Sequence, residues 1–132
     1  MSRSAAENAE LLRRGYERWN ATGRLPTELL DPEIEWNQAV GDTRAVRGLD
    51  QAVAAMDEFL QSFEYMQNEP EQIVADGDLV VVVSRTTVRG RGSGIDLTNR
   101  AAHVWTLRNG QAVRLEVYED VDAALRLVGI SS

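Results

Sequence analysis

Ile95–Asp120 reads IDLTNRAAHVWTLRNGQAVRLEVYED, with Asn109-Gly110 between two arms of alternating character. Asn-Gly between such arms is the strongest short-range signal for an antiparallel hairpin, because both residues tolerate the left-handed backbone of a tight turn. The first arm carries the only histidine, His103, two residues from Trp105; the second ends in Tyr118, Glu119 and Asp120. Register decides which side chains meet. A type I turn with a bulge at Gly110 sets His103 opposite Leu115 and Ala101 opposite Val117, and gathers Asn99, His103, Trp105, Leu115, Val117 and Glu119 on one face. A strict two-residue turn sets His103 opposite Glu116 instead. The bulged register is preferred, because it groups the apolar residues of both arms.

Upstream, Leu79–Arg89 (LVVVVSRTTVR) is β-branched and nearly continuous, as expected of a central strand buried on much of both faces. Arg85 interrupts it and is the natural partner for an inward Glu119, which would be costly to desolvate alone. The Gly90-Arg91-Gly92-Ser93-Gly94 connection lacks the spacing of a phosphate cradle and leads into a strand, so it reads as a loop. Asp76-Gly77-Asp78 is a turn, and Pro70 assigns Met66–Val74 to a sheet edge if it is a strand.

Near the N-terminus, Ala9, Leu12, Tyr16 and Trp19 recur at spacings of three and four, which predicts an amphipathic helix over about Ser4–Thr22 that stops at Gly23. A short helix entered at Pro26 and a short strand at Ile34–Asn37 follow, then a loop over Gln38–Gly48 able to rim a pocket. Leu49–Phe63 is a second long helix with Val53, Met56 and Phe63 on one stripe. Val121–Val128 closes the chain as a helix capped by Asp120 or Asp122. The order predicts an α+β fold in one domain over residues 1–132, with helices packed on one face of a curved antiparallel sheet.

Composition narrows the function. At 132 residues, 43% hydrophobic and 27% charged, the chain falls in the globular range. A net charge of −7 argues against nucleic acid as a partner. The absence of cysteine rules out disulfides and thiolate chemistry and suits the cytoplasm. No continuous apolar run marks a signal peptide or a membrane span. Apolar walls with sparse polar groups describe a small-molecule cavity. His103 is its candidate acid, base or donor to a ligand carbonyl, since imidazole titrates near neutrality. A lone histidine is poor evidence for a metal, and neither a metal nor a cofactor is expected. Tyr16 and Trp19 serve either as core packing or with the phenol hydroxyl turned into the cavity.

AAHVWTLRNGQAVRLEVYEDVDAALRLVG, the leading helix with Tyr16, and VRGLDQAVAAMDEFL together resemble the SnoaL-like branch of the nuclear transport factor two-like superfamily. The resemblance spans nearly the whole chain and implies a cone-shaped α+β barrel, the sheet wrapped around helices that enclose a deep apolar pocket. It also implies a homodimer formed through the outer sheet face. It specifies the fold better than the reaction, because relatives include isomerases, cyclases, hydrolases and non-enzymatic modules.

In the related ketosteroid isomerases a helix tyrosine and a strand acid form an oxyanion hole beside an aspartate base. Tyr16 matches the tyrosine, His103 falls near the acid, and Trp36 stands at the base, where an indole accepts no proton. Arg85 fits the arginine of the limonene-type epoxide hydrolases, but Thr87 and Val117 stand where its two aspartates belong. Glu119 is the nearest match to the acidic residue of the SnoaL-like cyclases.

The expectation is therefore a protein that binds a small, largely apolar carbonyl or polyketide-like compound. Its pocket would be lined by Trp19, Trp36, Phe59, Phe63, Asn99, Trp105, Leu115 and Val117, with Tyr16, Arg85, His103 and Glu119 as the catalytic candidates. As an enzyme it would be a cofactor-independent isomerase, cyclase or hydratase. The alternative is a non-catalytic binding or dimerisation module.

Overall fold

The computed structural model describes residues 4–37 and 46–129. Ser4 opens α1 (Ala5–Thr22) through a capping box with Glu7, and Gly23 ends it in the left-handed region at φ 71°. After a short 3-10 turn at Thr27–Leu29 come β1 (Leu30–Asn37) and β2 (Val46–Arg47), then α2 (Leu49–Leu60). Four long strands follow, β3 (Phe63–Asp76), β4 (Leu79–Gly90), β5 (Asp96–Arg108) and β6 (Gln111–Tyr118), and the short helix α3 (Val121–Arg126) closes the described chain. The loop expected over residues 38–48 falls mostly outside the described residues, and its end is strand β2. Helix α2 stops at Leu60, three residues earlier than the apolar stripe suggested, so Phe63 opens β3 instead.

The strands form one curved, unclosed sheet in the order β2-β1-β6-β5-β4-β3. Every pairing is antiparallel except β1 with β6, which run parallel. Pro70 does lie on an edge strand, β3, and the register slips beside it between Pro70 and Gln72. Two asparagines of α1 bind β3 and its turn: Asn8 Nδ2 donates to Gly77 O at 2.9 Å, and the Asn20 amide pairs with both backbone groups of Asn68. The exposed edge is thereby covered by a helix.

The hairpin combines parts of both expected registers. Asn109 and Gly110 form a strict two-residue turn, both with positive φ (52° and 79°), so Arg108 faces Gln111 and Leu107 faces Ala112. A register shift then follows between Ala112 and Arg114, past which His103 faces Val117 and Trp105 faces Leu115. The extra residue sits in β6 and not at Gly110. The faces are the ones expected, because one inserted residue restores the parity, but the pairs are not: His103 meets Val117 and not Leu115, and Leu115 meets Trp105, since an insertion in β6 moves the register by two residues relative to one at Gly110.

Two apolar layers sandwich the sheet. The concave face carries Val80, Val82, Trp105 and Leu115, packed with Leu12, Tyr16 and Trp19 of α1 and Ala52 and Met56 of α2. The opposite face carries Val81, Val83, Ala102 and Val104 beneath Ala124 and Leu125 of α3 and Val128. The helices are thus divided between both faces and not confined to one. Asp120 starts α3 by accepting from Ala123 N at 3.0 Å, which directs the chain back over the outer face. No described helix is long and apolar enough to cross a membrane.

Candidate functional site

The concave face leaves a cavity of about 1020 Å³ between the sheet and α2. Trp19, Trp36, Phe59, Asn99, Trp105, Leu115 and Val117 line it, as does His103. Alternation in β5 places Asn99, Ala101, His103 and Trp105 on this side, and the β6 bulge brings Leu115 and Val117 to meet them.

His103 is the chemical centre of the cavity. Its Nδ1 lies 2.6 Å from Tyr16 Oη, with the two rings inclined by only 17°. Tyr16 Oη also accepts from Trp105 Nε1–H at 2.9 Å. Proton counting then separates two tautomers. Indole nitrogen can only donate, and the phenol has one proton, whose sole acceptor among these contacts is Nδ1. The pairing that satisfies the phenol proton places the imidazole proton on Nε2, which has no protein partner among the described residues; the opposite pairing, with Nδ1–H donating to the phenol, makes Nε2 an acceptor.

Burial lowers the His103 pKa to about 4, so the ring is neutral near pH 7. Burial raises the Tyr16 pKa well above the ordinary phenol value, while the Trp105 N–H opposes that rise. Three aromatic groups thus form one neutral hydrogen-bonded chain, Trp105–Tyr16–His103, that ends at the cavity. Trp36 packs edge-on against Trp105 with centroids 6.0 Å apart, which buttresses the relay from β1.

Tyr16 itself does not line the cavity. It is 2% exposed and stands behind His103, which makes it a positioning residue for the histidine. Phe63 also lies off the cavity wall and reaches it only through Phe59, whose ring centroid is 5.1 Å away.

Arg85 and Glu119 are not brought together. Val80 and Val82 pair with inward Trp105 and His103, so alternation turns Arg85 to the outer face opposite Arg100 and Glu69. There its guanidinium lies 3.9 Å from Glu71, with 55% of its side chain exposed. Glu119 lies one residue past the end of β6, exposed to solvent and outside the cavity. No buried ion pair forms, because neither charge is buried.

The inward residue of that β4 segment is Ser84, fully buried, its hydroxyl without a partner among the described residues. Sequence reasoning also missed Asn68, Thr86 and Glu58, all on the cavity wall. Thr86 pairs with Asn99 on one side and Asn68 on the other, so the three share the inward face once the parity of β4 is known. No group of three or more His, Asp or Glu side chains able to hold a metal occurs among the described residues.

No curated protein matches the sequence. Solved structures match along nearly the whole chain. An NTF2-like protein of unknown function from Burkholderia pseudomallei is 24% identical, with a TM-score of 0.72 over 93% of this chain and 98% of that one. TerC, co-crystallised with polyporic acid, is 25% identical, with a TM-score of 0.67 and the same coverage of 93% and 98%. A candidate SnoaL-like polyketide cyclase from Jannaschia sp. CCS1 is 21% identical, with a TM-score of 0.72 over 100% and 99% of the two chains. These neighbours share the cone-shaped fold. The model of the SnoaL-like domain matches residues 12–115, a span that runs from the helix bearing Tyr16 to the strand bearing Leu115, and the chain belongs to the SnoaL-like family.

Proposed function

We propose that this protein binds a small, largely apolar carbonyl compound with its carbonyl oxygen against His103 Nε2–H, and that this contact prepares the compound for cofactor-independent proton transfer. The observation that carries the reading is the Trp105–Tyr16–His103 chain, which in the Nε2–H tautomer supplies one N–H donor to a largely apolar cavity. A donor held before the ligand arrives stabilises negative charge developing on a carbonyl oxygen without reorganising. Isomerisation, cyclisation and hydration all share that need. A 25% identical relative co-crystallised with polyporic acid supports occupancy of this fold by an organic ligand.

A neutral histidine of low pKa is a poor proton source and a good hydrogen-bond donor, so its role is polarisation. Proton removal requires a second group. Glu58 of α2 is the carboxylate among the described wall residues, and it is exposed. That exposure favours the second reading, a binding module in which the carbonyl is held and not transformed. A homodimer through the outer sheet face would use the ion-paired strip of Arg85, Arg100 and Glu71 that lies beyond α3.

A panel of cyclic ketones and lactones tests both readings in the wild type and in His103→Ala. Binding is followed by thermal shift and chemistry by deuterium exchange at carbon next to the carbonyl. Stabilisation with exchange, both lost in the variant, supports catalysis; stabilisation without exchange supports the binding module. No stabilisation by any member sinks the carbonyl reading.

A further inference from the structure

Besides Gln51 and Glu58 of α2, the cavity wall carries polar side chains at two separate places on its strands. One is His103. The other is a row running across three strands: Asn68 of β3, Thr86 of β4 and Asn99 of β5 are neighbours in register, and all three line the cavity. Asn99 and His103 are four residues apart on β5, roughly 13 Å at the rise of an antiparallel strand. The inward residue between them is Ala101, apolar and small.

Asn68 is held more firmly than a chance polar residue on a pocket wall. Its Oδ1 accepts from Thr86 Oγ1–H at 2.7 Å, its backbone N–H donates to Asn20 Oδ1 at 2.8 Å, and its backbone carbonyl accepts from Asn20 Nδ2. The residue is 2% exposed, yet its Nδ2 has no acceptor among the described residues. Buried amide donors in native structures are almost always satisfied, so this one lacks an acceptor, and a small movement of the wall beside Thr86 would open it to one in the cavity. The row also lacks charge. Among the described wall residues only Glu58 is charged at neutral pH, and it is exposed, so nothing there offsets the desolvation of an ionic ligand.

We propose that the Asn68–Thr86–Asn99 row is a second ligand-recognition point, which takes an oxygen acceptor at the far end of the compound whose carbonyl meets His103. The ligand is then an elongated, uncharged ring compound with oxygen functions at both ends. This assignment rests on the carbonyl reading of His103 given above and adds to it the length and the second polar group of the ligand.

Matched rigid ketones separate the two claims. The probes are 4,4′-diacetylbiphenyl with 4-acetyl-4′-ethylbiphenyl, and 2,6-diacetylnaphthalene with 2-acetyl-6-ethylnaphthalene, titrated calorimetrically against the full chain. The wild type should prefer at least one diketone over its monoketone by about tenfold, the ratio that one or two net hydrogen bonds supply. Asn68→Leu should reduce that preference to near unity while leaving monoketone affinity in place. Asn99→Leu, at an exposed position where folding is not at stake, should lower it part of the way, and it decides the matter if circular dichroism shows Asn68→Leu unfolded. His103→Ala should weaken both members of a pair. Equal affinity for both members, still lost in His103→Ala, overturns the second recognition point and leaves the carbonyl reading standing. No binding of any of the four ketones overturns both.

Discussion

Tyr16 Oη lies 2.6 Å from His103 Nδ1, so a hydroxyl on the first helix bonds directly to the ring of a strand histidine. The Trp105 N–H completes the relay by occupying a lone pair of the same oxygen.

Tyr16→Phe removes the middle of that relay. It leaves Trp105 Nε1–H and His103 Nδ1 without partners inside the core, at a cost of about 1–3 kcal/mol. Urea unfolding should show a lower midpoint with an unchanged slope, and nitrogen-15 spectra of the imidazole should change from a single Nε2–H form to a mixture. A variant that keeps the Nε2–H form alone would show that the phenol does not set the tautomer.

The pH dependence of stability follows from the same burial. His103 has an ordinary pKa of 6.5 in the unfolded chain, and the fold lowers it to about 4. Between those values the unfolded state holds the extra proton, so stability rises with pH from 4 to 6.5 and is level above that. The whole effect is about 3 kcal/mol. Carboxylates add their own losses in acid, so the measurement is the difference between wild type and His103→Gln in chemical denaturation across pH 4 to 7. Parallel curves would show that His103 titrates normally in the fold.

Arg85→Ala should change stability by less than about 0.5 kcal/mol and leave ligand affinity untouched. Its ion pair with Glu71 is long, 3.9 Å, and its side chain is 55% exposed, the setting in which such pairs contribute little. Glu119→Gln should be equally silent. A tenfold loss of binding in either variant, measured by the same ketone titration, would return these residues to the site.

Leu125→Ala tests the outer layer. Leu125 is 8% exposed and packs from α3 onto Val81, Val83 and Val104. Truncation should cost about 2–3 kcal/mol through lost burial and an unfilled void. Pocket affinity should hold, because the sheet separates this layer from the cavity. Unchanged stability would mean that α3 is not docked.

The cavity wall on β5 and β6 was legible because its pattern is periodic. Asn99, His103 and Trp105 share a parity, and grouping them with Leu115 and Val117 requires one extra residue somewhere between the arms. The position of that residue was not legible, since a bulge at Gly110 and one within Ala112–Arg114 give the same faces beyond it. The facing of β4 was lost for a different reason. Val80 to Val83 are all fully buried, alternate ones beneath α1 and α3, so the run carries no polar–apolar alternation from which to read parity. Without that reference Arg85 was turned inward and Ser84 outward, the reverse of what the sheet shows.

Local chemistry in the sequence determined the elements themselves. The Ser4 and Gly23 caps, the Asn109-Gly110 turn, the Pro70 edge and the Asp120 cap each act within a few residues, so the sequence holds all the information they need. Tertiary structure decided which of their side chains meet. The Tyr16–His103 bond joins residues 87 apart, and the Asn20 grip on Asn68 joins residues 48 apart. Pairings at that distance depend on how helices and strands pack, and packing is set by total burial across the whole sheet, a property that no stretch of the chain carries alone.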